Sequence, residues 1–133
     1  MRTFRATLLG RNEVPAVRTI AFGNAVFQVN RTGTQLRFRL VVNNINRVTQ
    51  AHIHLGRVGQ NGPIVAFLFG PSKFGISVRR GVIRGVLTNQ DLIGPLQGRT
   101  IRDLVRELER GNAYANVHTI QNPDGEIRGQ IRR

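Results

Sequence analysis

The chain has 133 residues with no cysteine, no tryptophan, one tyrosine and only three histidines. Without cysteine there can be no disulfide, thiolate metal site, thiol nucleophile or haem thioether link. Serine is nearly as scarce. Ser72 and Ser77 are the only two, and neither lies in a nucleophile-elbow motif, which argues against a serine hydrolase. Of the seven acids, Asp124 and Glu126 stand close together, but Asn122-Pro123-Asp124-Gly125 reads as a turn rather than half of a carboxylate pair. The glycine-rich Gly56-Arg57-Val58-Gly59-Gln60-Asn61-Gly62 lacks the Lys-Ser/Thr ending and following helix of a phosphate loop. No apolar run approaches the roughly 20 residues needed to cross a bilayer, so a soluble chain is expected. The first ten residues hold no continuous apolar segment of about 7–15 residues with a cleavage site. The expectation is that the chain stays inside the cell or has had a leader removed.

The abundant residue is arginine. Twenty basic residues against seven acidic ones give a formal net charge of +13, and Lys73 is the single lysine. Such a chain attracts polyanions such as nucleic acid, anionic cell-wall polymer or acidic lipid, with steep salt dependence. The arginines run from Arg2 to Arg133 without a dense block, and the seven phenylalanines mostly occupy strand-like apolar positions. That pattern argues against specific nucleic-acid recognition, which concentrates charge and interleaves aromatics. The expected partner is an anionic molecule or surface.

The length fits one domain spanning residues 1–133. Short apolar runs broken by turn residues predict strands over Thr3–Leu9, Ala21–Asn30, Leu36–Val42, Thr49–Leu55, Ile64–Phe69, Ile76–Leu87, Ala113–Ile120 and Glu126–Ile131. Leu36, Phe38 and Leu40 alternate with Arg37 and Arg39 in the cleanest period-two signal. Ile64–Phe69 reads as a core strand buried on both faces, and Gly81 and Gly85 point to a bulge or irregular crossing. Arg31-Thr32-Gly33-Thr34 and Asn122-Pro123-Asp124-Gly125 should close hairpins. One amphipathic helix is expected over Thr100–Arg110, with Ile101, Leu104, Val105 and Leu108 on its apolar face and Gly111 at its end. Thr88 is placed to cap a short turn. These elements predict a mostly β protein: an antiparallel, Greek-key-like β-sandwich or barrel with one helix.

The histidines carry the chemistry. His52 and His54 are two apart, so on a strand they project from one face while Ile53 turns away. If the strand bearing His118 lies alongside, three imidazoles converge, which suits copper or zinc and can leave a coordination position open. Glu13 or Glu126 could orient an imidazole as a carboxylate partner, and Arg128 is placed to pair with one of them. The competing reading is that the histidines only hydrogen-bond within a polar rim.

Five segments resemble the CHRD domain family: Gly10-Arg11-Asn12-Glu13-Val14-Pro15, Ala51-His52-Ile53-His54-Leu55-Gly56, Asn61-Gly62-Pro63, Gly111 to Thr119, and Pro123 to Gln130. They run in order from about Phe4 to Ile131. The resemblance implies a β-rich domain found mostly outside the cell or at its surface; in some members of the family it accompanies modules that bind signalling ligands, and this sequence does not contain them. A looser similarity, to copper/zinc superoxide dismutase-like sandwiches, rests on the His-x-His strand and a distant later histidine. The chain lacks the further histidines and the aspartate of a bridged two-metal centre. The sequence therefore favours a non-enzymatic binding or structural module with a basic surface, whose histidines either bind metal structurally or serve as polar packing. The alternative is a mononuclear copper or zinc protein using His52, His54 and His118. Exposed strand edges leave homo-oligomerisation open.

Overall fold

Strand formation follows the alternation of the sequence in the computed structural model, which describes residues 2–133. The strands are β1 (Thr3–Leu9), β2 (Phe22–Val29), β3 (Leu36–Leu55), β4 (Ile64–Phe69), β5 (Ile76–Leu87), β6 (Ala113–Thr119) and β7 (Ile127–Gln130). The one α-helix, α1, spans Ile101–Glu109. Every strand pairing is antiparallel. The order β2-β1-β7-β6-β3-β4, with β2 also pairing β3 and β5 added to β3, closes the sheet into a barrel with extra strands. The expected β2–β3 and β6–β7 hairpins are present.

β3 makes the closure possible. Leu36–Val42 and Thr49–Leu55 are not separate strands, as the sequence suggested, but two halves of one 20-residue strand. Its first half pairs with β2 and β5, and its second half pairs with β4 and β6. Between the halves, Asn44 and Arg47 take left-handed backbone conformations with φ of 52° and 55°, and the β5 register shifts between Ile45 and Val48. That bend lets a single strand belong to both sides of the barrel.

Two other expectations are corrected. β4 is a terminal strand that is only partly covered, with Val65, Ala66 and Leu68 buried and Ile64, Phe67 and Phe69 half-buried. Its apolar outer side chains lie beside the histidine strand, and part of its free edge is covered where Ile93 N donates to Val65 O. The irregularity expected within Ile76–Leu87 is present, but between Ile76 and Val78, opposite the bend of β3, and not at Gly81 or Gly85, which sit in regular pairing. Gly85 is required because the Phe38 ring occupies the space a Cβ would need.

Thr100 and Asp103 form a capping box at the start of α1, and its buried face consists of Ile101, Leu104, Val105 and Leu108, as expected. The same device, Thr88 with Asp91, caps a 3₁₀ turn over Asn89–Asp91. The helix packs into one hydrophobic cluster with Phe4, Phe27, Leu36 and Ile127. Arg102 donates to Thr32 O in the β2–β3 turn and Arg2 meets Glu109 at 3.3 Å, which places α1 at that end of the barrel. No helix is long and apolar enough to cross a membrane.

Candidate metal centre

Register determines which side chains share the outer face of the β3–β6–β7 sheet. Across β3 and β6, Gln50 lies opposite His118, His52 opposite Asn116 and His54 opposite Tyr114. Across β6 and β7, Asn116 lies opposite Arg128 and Tyr114 opposite Gln130. Directly opposed residues project to the same side, so this face is polar while Ala51, Ile53, Ala115 and Val117 turn into the core. Even so, every residue of β6 is buried. Connecting segments cover the outer face: one holding Glu13, one from Gly56 to Pro63, and the β6–β7 turn at Pro123. Asn61 Nδ2 donates to Val14 O at 2.7 Å, tying the first two covers together.

Under this cover His52, His54 and His118 retain 1%, 7% and 8% of their exposure, and one ring nitrogen from each lies within 4.8 Å of the others. Their ring centroids are 4.7 to 5.9 Å apart. Each ring is fixed by a hydrogen bond from one nitrogen: His52 Nε2 to Gln50 Oε1 at 2.8 Å, His54 Nδ1 to Gly62 O at 2.9 Å, and His118 Nδ1 to Pro123 O at 2.7 Å. All three acceptors are carbonyl oxygens, so the bonded nitrogen carries the proton and the other keeps a lone pair. His52 Nδ1 and His54 Nε2 are buried without a hydrogen-bond partner. His118 Nε2 faces Asn116 Oδ1 at 3.0 Å. For a neutral ring these are two acceptors in contact, a conflict relieved by a bound cation or by an amide turned to donate.

Three imidazoles gathered beneath loops, with one ring nitrogen of each within 4.8 Å of the others, form a donor set that can hold a metal ion. Two ligands at the usual ~2.0–2.1 Å from one tetrahedral ion lie about 3.4 Å apart, so a pair at the 4.8 Å limit must close by roughly 1.4 Å. Side-chain torsions can absorb a movement of that size. The imidazoles of His52 and His54 are also in the state a metal requires. Burial, reinforced by the neighbouring His118 and His54, pushes the His52 pKa from 6.5 down to about 3. Burial lowers that of His54 as well, against the opposing hydrogen bond to Gly62. Near neutral pH neither must lose a proton before binding.

The carboxylates are not arranged as expected. Glu126 is no imidazole partner: it accepts from Thr19, Thr119, Gln121 and Asn122 at 2.7–3.0 Å. Burial alone would raise its pKa, and these four bonds outweigh it and leave the pKa lowered. Backbone and amide carbonyls, rather than carboxylates, orient the three rings. Glu13 is buried with Oε2 unpartnered. Its pKa rises from 4.5 to about 7 through burial, against the lowering effects of Asn116 and the Arg128 charge.

Arg128 forms no ion pair with either acid. It is 2% exposed, donates to Asn61 Oδ1 at 3.0 Å, Arg57 O at 3.1 Å and Gln60 O at 2.6 Å, and lies 3.5 Å from the centroid of the Tyr114 ring. It holds the 56–63 loop down over the site. Tyr114 in turn stacks on His54, with centroids 4.7 Å apart and planes at 6°, and accepts from Gly62 N at 3.0 Å. Sequence reasoning found the three histidines and missed Gln50, Tyr114 and Asn116. The signal was available in the spacing, because these residues share the histidines' parity along β3 and β6.

Comparison with known proteins gives two results. The CHRD domain family matches residues 4–131. The chain is also similar to chordin of Xenopus laevis, 29% identical over 132 residues, covering 93% of this chain and 12% of the chordin sequence. It therefore spans about an eighth of that relative's length. No solved structure matches.

Proposed function

This chain belongs to the CHRD domain family, and from that premise we propose that it is a non-enzymatic binding or structural module built around a mononuclear three-histidine metal site. The observation that carries the reading is the gathering of three buried imidazoles, one ring nitrogen of each within 4.8 Å of the others, two of which, His52 and His54, also keep a buried nitrogen without a hydrogen-bond partner. Leaving two polar atoms buried and unbonded costs roughly 1–3 kcal/mol each, which a bound cation would recover. The ligand set supports copper or zinc, since neutral imidazoles suit both and hard oxygen-seeking ions poorly. Bound there, the metal would supply Lewis-acid character and a cross-link between β3 and β6. Through their second ring nitrogens His54 and His118 hold Gly62 O and Pro123 O, so the covering loops are fixed with them.

The family match from residue 4 to 131 and a single hydrophobic cluster support reading the chain as one domain. The formal charge of +13 supports an anionic partner for it.

A reactive mononuclear copper or zinc centre is the second reading, favoured by the number of ligands: three histidines leave a coordination position for water or a small oxidant. The depth of the site under its loops weighs against it.

The test is elemental analysis of the untagged protein beside a His52→Ala/His54→Ala variant. Near-stoichiometric copper or zinc that is lost in the variant is expected. No metal as purified and no uptake on titration at neutral pH would overturn the site. Turnover abolished by His54→Ala in a folded protein would establish the second reading.

A further inference from the structure

The outer face of the other side of the barrel, formed by β1, β2, the first half of β3 and β5, carries arginines where the fold gains nothing from them. Arg132 bridges Arg5, Arg5 pairs with Val26, Val26 with Arg39, and Arg39 with Arg84. Directly opposed residues share a face, so these five form one row across the strands, four arginines interrupted by a single valine. Four steps of about 4.8 Å make the row ~19 Å long. Arg37, opposite Gln28, extends the charge into the adjacent row. All of these arginines are exposed except the half-buried Arg39.

No aspartate or glutamate occurs in any of these strand segments. Among the described residues, none of these arginines forms an ion pair or donates a side-chain hydrogen bond, whereas Arg2, Arg106, Arg110 and Arg133 all have carboxylate partners. Two of the cross-strand pairs, Arg39 with Arg84 and Arg5 with Arg132, set like charges directly against each other, which destabilises a sheet. A negatively charged ligand lying along the row would neutralise both conflicts.

We propose that this arginine row binds a linear, base-free phosphate polymer laid across the strands. The proposal rests on the reading of the chain as a module for anionic partners and gives that partner a place and a shape. Guanidinium groups match phosphate oxygens in a two-pronged geometry that favours arginine over lysine. A single file of charge fits a chain better than a plane of headgroups. Neither this row nor the two flanking rows contain an aromatic ring on which bases would stack.

The test is calorimetric titration of the whole protein with short-chain inorganic polyphosphate over a series of salt concentrations. Wild-type protein is expected to bind, with affinity falling linearly in log–log form as salt rises. Arg5→Glu/Arg84→Glu should weaken binding about tenfold or more and flatten the salt slope, because each arginine replaced leaves one phosphate group without its cation. Both reversals turn a like-charge pair into an opposite-charge pair, so the thermal midpoint of this variant should hold or rise. Arg31→Glu/Arg99→Glu, the same change in net charge away from the row, should weaken binding less than about threefold.

Equal weakening by the two double variants would overturn the row while leaving the anionic-partner reading standing. Failure of the wild-type protein to bind polyphosphate would overturn the proposal, and failure to bind a single-stranded oligonucleotide and phosphatidylserine vesicles as well would overturn the anionic-partner reading. Tighter binding of a single-stranded oligonucleotide of equal charge, or of phosphatidylserine vesicles, would overturn the assignment to a base-free chain.

Discussion

Two buried residues of the polar face have pKa values displaced in opposite directions. His52 holds its proton only below about pH 3 when folded but near 6.5 when unfolded, so between those values the unfolded chain binds the extra proton and stability is lost as pH falls. Glu13 is protonated up to about pH 7 when folded but only to about 4.5 when unfolded, so its contribution is lost as pH rises through that window. Glu13→Gln removes the second loss. For the metal-free protein, urea denaturation at pH 4.5 and pH 7.5 should show the variant gaining relative to wild type at the higher pH, by at most about 3 kcal/mol. A gain independent of pH would contradict a buried, protonated Glu13. At this scale the pairing of His52 and His54 was legible because two-residue spacing puts both on one face of a strand, while their meeting with His118 depends on the β3–β6 register. The roles of Glu13, Glu126 and Arg128 were not, because a polar side chain in a loop or closing strand reveals its partner only once the loops are laid over the sheet.

The elements depend on a few close backbone approaches. At Gly62, a Cβ would collide with the carbonyl of Leu55, so the covering loop reaches the end of β3 only as glycine, and it is this residue's carbonyl that orients His54. Gly62→Ala is expected to lift the loop and weaken metal affinity about 10- to 100-fold, as loss of an orienting partner does, with the barrel still folded. Metal-competition titration alongside circular dichroism checks this, and unchanged affinity would separate the loop from the site.

Arg128 fastens the same loop from the other side. Its planar fork reaches two carbonyls and an amide oxygen that an ammonium cannot span together. Arg128→Lys should therefore destabilise the protein by about 2–4 kcal/mol in urea denaturation, since a charge is left buried with part of its bonding lost. The helix, its cap and most strands were legible from periodicity and capping residues. The continuity of β3 was not, because Asn43-Asn44 and Arg47 read as a break in pattern, whereas the left-handed conformations at Asn44 and Arg47 bend the strand without ending its pairing. β4 misled for a related reason: a continuous apolar run signals cover on both sides but not whether a strand or a side chain provides it.

On the scale of the whole molecule, the barrel presents two unlike faces. One is polar, buried by loops and centred on three imidazoles; the other is open and lined with arginine. A ligand that binds only the folded state raises its stability by mass action, and a metal at the histidines ties both sheet strands and covering loops to that state. Copper or zinc should accordingly raise the thermal midpoint of wild-type protein and leave that of His52→Ala/His54→Ala unmoved. The most direct measurement is X-ray absorption spectroscopy of the metal-loaded protein beside His118→Ala. Three imidazole nitrogens at about 2.0–2.1 Å, falling to two in the variant, are the predicted result. A first shell of oxygen alone, or one that His118→Ala does not alter, would contradict the site.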